Sequence, residues 1–242
     1  MFYEINDIKI SYKVRGVGVP IILLNGWGMK KETFDSLARD LSSDFKVFQI
    51  DLPGFGESNT PRPLRVSEYA DLLHSFVIDN CDCMPIVLGH SFGGRVAICY
   101  ASKYKVKKLI LVSTPGIRYF NLKSWVKVKI YRVCKRLKWN ILKGSKDYKN
   151  ANKILRDTLV MAVNENLRSK LPLIDVNTLL IWGKDDKDVR LKIGRDMKRL
   201  ISISELIIMS ITCHFRYLER YRYFLVVLKY FLMSDLYDSN LG

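Results

Sequence analysis

The chain has 242 residues, 48% of them apolar, which is enough for one sizeable core but contains no run near the ~18 apolar residues of a membrane span. A formal net charge of +16 (40 Lys and Arg against 24 Asp and Glu) leaves three classes of anionic partner open: nucleic acid, an anionic membrane surface and an acidic protein. A Lys-rich composition without a partner produces the same number. Cys81, Cys83, Cys99, Cys134 and Cys213 are odd in number and lack zinc or redox spacing, and residues 1–6 have neither a basic start nor an apolar core. Free thiols in a reducing cytoplasm are therefore expected.

In chain order, residues 3–5 and 8–14 alternate around Asn6-Asp7, which predicts a hairpin. Residues 20–24 (PIILL) are a continuous apolar run, as in a strand covered on both faces, and they end in Asn25-Gly26-Trp27-Gly28. A helical pattern over about 31–41 is followed by a strand at 45–50 that closes in Asp51-Leu52-Pro53-Gly54-Phe55-Gly56, then by a helix at 67–78. Residues 85–88 (PIVL) lead into Gly89-His90-Ser91-Phe92-Gly93 and a further apolar helix. A strand is expected at 106–112. From about 115 to 172 the pattern is helical only. It includes an amphipathic stretch at 125–139, with Val126, Ile130, Val133 and Leu137 on one side and Lys129, Arg132, Lys135 and Arg136 on the other. A second helix is expected at 150–164. Strands at 178–182 and 206–208, with helices near 192–200 and 220–231, restore the β/α rhythm. The pattern predicts one α/β domain with a mainly parallel, doubly wound sheet. Residues 1–114 and 173–242 form its core, and a helical lid at 115–172 is inserted after the sixth strand.

A buried strand that runs through Gly-x-Ser-x-Gly into a helix is the signature of a nucleophile elbow. The serine sits on a strained turn, so the residues two before and two after it must be small. The helix that follows aims its N-terminal N–H groups at developing negative charge. Ser91 is the candidate nucleophile. The sequence has no Gly-x-Gly-x-x-Gly after a strand, no phosphate-binding loop and no paired His/Cys spacing, so neither metal nor cofactor is expected.

With these residues assembled, the chain resembles the α/β-hydrolase superfamily over nearly its whole length. The resemblance rests on four motifs in order: Asn25-Gly26-Trp27-Gly28, residues 51–56, residues 89–94 and Trp182-Gly183-Lys184-Asp185-Asp186. Within the superfamily it is most similar to the small serine esterases, including methyl esterases of pimeloyl-carrier protein. The resemblance implies a triad in the order Ser, Asp, His. Asp186 fits the acid position, with Asp185 and Asp188 as neighbouring alternatives, and His214, in His-Phe-Arg-Tyr-Leu-Glu, fits the general base. His90 lies inside the elbow, and His74 is out of triad order. The oxyanion hole is expected from the backbone N–H groups of Trp27 and Phe92. The chain departs from the family at Asn25, where histidine is common, and at Ile211-Thr212-Cys213, where small residues usually precede the histidine.

The implied activity is hydrolysis of a carboxylic ester or thioester through an acyl-enzyme. The alternatives are a catalytically weak binding protein, or the same triad used for carbon–carbon hydrolysis or perhydrolysis. Residues 116–170 hold fifteen Lys and Arg against three acids, so most of the charge lies in the expected lid. The lid face of Lys129, Arg132, Lys135 and Arg136 is expected to meet an acidic acyl-carrier protein or an anionic membrane surface, if it meets a partner at all. Nothing else in the chain resembles a nucleic-acid module. The sequence leaves the acyl chain length and the oligomeric state open.

Overall fold

The structure, a computed structural model, describes residues 1–119, 147, 151–209 and 220–238. Strands β1 (Phe2–Ile5) and β2 (Ile8–Arg15) form the expected hairpin. Asn6 and Asp7 have φ of 44° and 65°, the two left-handed residues that a two-residue turn of matching twist requires. The strands β3 (Pro20–Leu24), β4 (Lys46–Ile50), β5 (Ile86–His90), β6 (Lys108–Val112), β7 (Thr178–Gly183) and β8 (Ser204–Met209) follow. They complete one sheet in the order β1-β2-β4-β3-β5-β6-β7-β8, antiparallel at β1/β2 and β2/β4 and parallel from β4 onward.

Among the described residues the helices are α1 (Asp35–Leu41), α2 (Val66–Asn80), α3 (Phe92–Ala101), α4 (Lys153–Asn164), α5 (Leu191–Leu200) and α6 (Tyr221–Asp238). The helix expected from residue 31 opens instead as a 3₁₀ turn, Lys31–Phe34. Asp51 holds both the backbone N–H and the ammonium of Lys31, so that turn is shaped by a contact across 20 residues. Strands β3, β5, β6 and β7 are buried throughout, as their continuous apolar runs require. One core lies on the face covered by α2, α3 and α5 and includes Tyr69, Phe76, Val96 and Met197. The other lies under α1 and α6, where Phe34, Leu37 and Leu41 meet Phe224, Leu228 and Leu232. Among the described residues no helix is long and apolar enough to cross a membrane.

The chain reverses its direction of winding at β3, which lies between β4 and β5. Open parallel sheets bind ligands outside the carboxyl ends of their strands at such a reversal. The Asn25-Gly26-Trp27 loop and the Ser91 turn both leave the sheet there, after β3 and β5.

Candidate active site

Ser91 has φ 50° and ψ −111°, a sparsely populated conformation for a residue with a side chain. The surrounding glycines show why it persists. A Cβ on Gly89 would stand 2.6 Å from the backbone of Gly93 and Gly94, and one on Gly93 would stand 2.3 Å from the carbonyl oxygen of Leu24. On Gly94 it would meet Thr114 Oγ1 at 1.9 Å. The strand and the helix therefore close onto each other and onto β3 around the serine. The Ser91 N–H donates to the Val112 carbonyl at 3.0 Å, and the Gly93 N–H donates to the Asn25 carbonyl at 2.9 Å. This second bond fastens the loop after β3 to the elbow.

That loop brings Trp27 beside Phe92. Their rings meet edge to face with centroids 5.1 Å apart, and Phe55 packs on both. Among the described residues the N–H groups of Trp27 and Phe92 have no acceptor, the condition for two donors kept available to a ligand. The loop is also anchored at its far end. Asp51, fully buried, accepts from the Lys31 N–H at 2.6 Å, from Lys31 Nζ at 2.9 Å and from the Glu57 N–H at 3.0 Å. Burial alone would lower the Lys31 pKa, but its bonds to Glu57 and Asp51 outweigh this and raise it above the ordinary value. A Cβ on Gly56 would lie 2.2 Å from the Asp51 carboxylate, which accounts for that glycine in the motif. Both polar atoms of the buried Asn25 carboxamide lack a hydrogen-bond partner among the described residues.

Ser91, Trp27 and Phe92 line one cleft of about 770 Å³. Its other walls include Ile117 and Arg118 after β6, Leu159 and Val163 of α4, and Val189 after β7. Asp186 is buried after β7, whereas Asp185 and Asp188 are exposed. Its Oδ1 accepts from the backbone N–H groups of Asp188 at 2.9 Å and Val189 at 2.8 Å, both residues of the cleft wall. The carboxylate thus sits directly behind that wall. His90 is buried, with its ring against Gly26, and His74 stacks on Tyr104 at 3.6 Å between centroids. His214, the apolar lid positions Val126, Ile130, Val133 and Leu137, and the basic positions Lys129, Arg132, Lys135 and Arg136 lie outside the described residues.

The family model of the alpha/beta hydrolase fold matches residues 19–130, from β3 through the elbow and beyond β6. The sheet order, the elbow and this match agree. The chain has the α/β-hydrolase fold. Among its relatives is the pimeloyl-[acyl-carrier protein] methyl ester esterase of Vibrio cholerae, 27% identical with 86% of this chain and 91% of that protein covered. The protein of that name from Wigglesworthia glossinidia brevipalpis is 26% identical, over 91% and 96% of the two chains. A solved membrane phospholipase A superposes with a TM-score of 0.80 over 97% of this chain and 85% of its own, at 22% identity, which is a likeness of fold.

Two side chains with no role in the sequence reading hold this hydrolase fold around its cleft. Arg95, one turn beyond Ser91 and 6% exposed, donates to the carbonyls of Ala162 and Glu165 at the C-terminal end of α4. Burial depresses its pKa and the Glu165 carboxylate opposes that shift, while the negative end of the helix also favours the cation. Arg118 donates from its backbone to Asn166 and from its guanidinium to the Asn164 carbonyl, and the Leu167 N–H reaches the Gly116 carbonyl at 2.8 Å. The two stems of segment 115–172 are therefore tied to each other, and the segment is tied to the elbow helix. Sequence offered only a weak signal for this, a cation placed among the apolar residues of α3.

Proposed function

We propose that this chain is a hydrolase that cleaves a carboxylic ester or thioester through an acyl-enzyme on Ser91. The supporting observation is a serine held at φ 50° at the carboxyl end of a central parallel strand, opening into a cleft. Ser91 Oγ attacks the acyl carbon while His214 takes its proton, and the N–H groups of Trp27 and Phe92 hold the tetrahedral oxyanion. His214 then protonates the leaving alcohol or thiol, and Asp186 stabilises the imidazolium. Water activated by His214 cleaves the acyl-serine and regenerates the hydroxyl. The burial of Asp186, with two backbone donors on one oxygen, supports its assignment as the acid over Asp185 and Asp188.

The names of the relatives make a methyl ester carried on an acyl-carrier protein the substrate class to test first. The basic lid positions Lys129, Arg132, Lys135 and Arg136 would then face an acidic carrier. A reducing, cytoplasmic setting, expected from the odd and scattered cysteines, belongs to the same reading.

The test is turnover of a p-nitrophenyl ester together with labelling by a fluorophosphonate. Wild type is expected to label at Ser91. Ser91→Ala, His214→Ala and Asp186→Ala should each lose several powers of ten in rate. Equal turnover in wild type and Ser91→Ala would remove Ser91 as nucleophile. Absence of both labelling and turnover would leave a binding protein on a hydrolase fold.

A further inference from the structure

We infer that the exposed face of α5 is a docking surface for an acidic protein that brings the acyl ester to the cleft, an assignment that rests on the hydrolase reading of that cleft. The helix carries Lys192, Arg195, Lys198 and Arg199 against one carboxylate, Asp196. All four cations are exposed, Arg199 with 79% of its side chain in solvent. Asp196 is turned inward, its side chain 15% exposed, and is held by the Tyr119 hydroxyl and by Arg199 at 3.3 Å. Lys192, Arg195 and Arg199 recur at i, i+3 and i+7, so they form one stripe about 10 Å long.

Two observations separate this stripe from an ordinary solvated helix face. The first is its lack of compensation. Elsewhere in the fold Lys13 pairs with Glu32, Lys31 with Asp51, Lys103 with Asp71 and Lys229 with Asp44, and cations such as Lys105 and Lys107 that make no ion pair among the described residues do not share a helix face. Among the described residues Lys192, Arg195 and Lys198 make no ion pair. The second is position. The helix begins two residues after Val189 of the cleft wall, and Lys192 Nζ stands 4.6 Å over the ring of Tyr119, next to the cleft residue Arg118. The N-terminal end of the stripe therefore lies beside the rim.

The occupant follows from the chemistry of the stripe. A helix that inserts into a lipid interface shows apolar side chains among its cations. Here Leu191, Ile193 and Leu200 are partly buried against the core instead. A cationic face without apolar side chains complements an acidic protein surface and steers its approach.

Arg195→Glu/Lys198→Glu reverses two of the four exposed cations of α5, neither of which makes an ion pair among the described residues. Binding of an acyl-carrier protein loaded with a methyl-ester-terminated chain is measured by calorimetry on the Ser91→Ala background, a readout that needs no turnover. The double reversal is expected to weaken binding by at least about tenfold, and added salt should weaken the parent far more than the reversed protein. In the Ser91 enzyme, turnover of a p-nitrophenyl ester should stay within about twofold, which shows that the fold survives. Unchanged carrier affinity in the double variant overturns the assignment, whether or not the hydrolase reading stands. Overturning follows equally if the parent ignores the carrier but sediments with phosphatidylglycerol vesicles and the double variant does not. Failure of the wild type to cleave any ester, with carrier binding intact and lost on reversal, would defeat the hydrolase reading alone.

Discussion

A methyl group on Gly93 would stand 2.3 Å from the Leu24 carbonyl oxygen and 2.6 Å from that of Asn25. Both are main-chain atoms at the end of β3, so neither can yield without moving the loop that carries Trp27. Gly93→Ala is expected to destabilise the fold by about 3 kcal/mol, at the high end for overpacking, and to lower esterase activity beyond the loss of folded protein. Urea unfolding and the activity of the folded fraction check the two parts. At Ser91 the strain has the opposite sign of usefulness. A φ of 50° is costly for a residue with a Cβ, and it persists because β5, α3 and the Gly93–Asn25 hydrogen bond leave no other path.

Arg95 couples two elements. It stands on α3, the helix that begins at the elbow, and donates to carbonyls at the end of α4, which walls the cleft through Leu159 and Val163. The Ala162 carbonyl otherwise accepts only a long bond from the Glu165 N–H at 3.3 Å, and a cation suits the negative end of the helix dipole. Arg95→Met keeps most of the volume and removes both bonds. Stability is expected to fall by about 2 kcal/mol, since bonds from a charged donor contribute roughly 1.5–3 kcal/mol each and water recovers part of the loss. A looser α4 should also raise KM for an ester more than it lowers kcat, and Arg95→Lys should restore part of both. No KM change would make Arg95 a stability residue without influence on the cleft. Lys108 performs a similar linkage, reaching from β6 to the carbonyls of Phe231 and Leu232 and to Ser234 on α6.

At the scale of the molecule, a net charge of +16 makes the carboxylates that remain disproportionately important. Five of them, Glu32, Asp44, Glu57, Glu68 and Asp71, are held below their ordinary values. For Glu57 the hydrogen bond from Lys31 leads, followed by that from Ser11. For Glu68 and Asp71 burial pushes upward, but it is outweighed by hydrogen bonds from Arg65 and Arg62 and from Lys103 and Tyr104 respectively. A depressed folded pKa means that the unfolded chain binds more protons, so stability rises with pH across this window. The contribution is complete above the ordinary values of 4.5 for Glu and 3.8 for Asp, and it is lost as pH falls through the lower folded values. Protonation also adds to an already large positive charge. The urea midpoint is expected to fall steeply as pH drops below about 5, and Glu57→Gln should reduce that fall. An identical pH dependence in wild type and Glu57→Gln would show that the Lys31–Glu57 contact contributes nothing.

What the sequence determined by itself is everything whose cause is local. Continuous apolar runs specify strands buried on both faces, as at PIILL and TLLIW. Asn6-Asp7 permits two left-handed residues, and Gly89, Gly93 and Gly94 mark where backbones must touch. Those signals hold within a few residues, so the α/β class, the strand positions and the elbow were legible, with helix α6 running to Asp238 rather than ending near 231. The tertiary structure decided what long-range neutralisation does to charge. Charged side chains prefer water, so sequence alone reads Lys31, Arg95 and Lys108 as surface residues. Each is buried because its partners arrive from afar: Asp51 20 residues on, Ala162 67 and Phe231 123. The same logic separates Asp186 from Asp185 and Asp188, since only the folded loop turns two backbone donors toward one carboxylate and leaves its neighbours in solvent. It also exposes the cations of α5, whose spacing was visible in the sequence but whose place at the cleft rim was not.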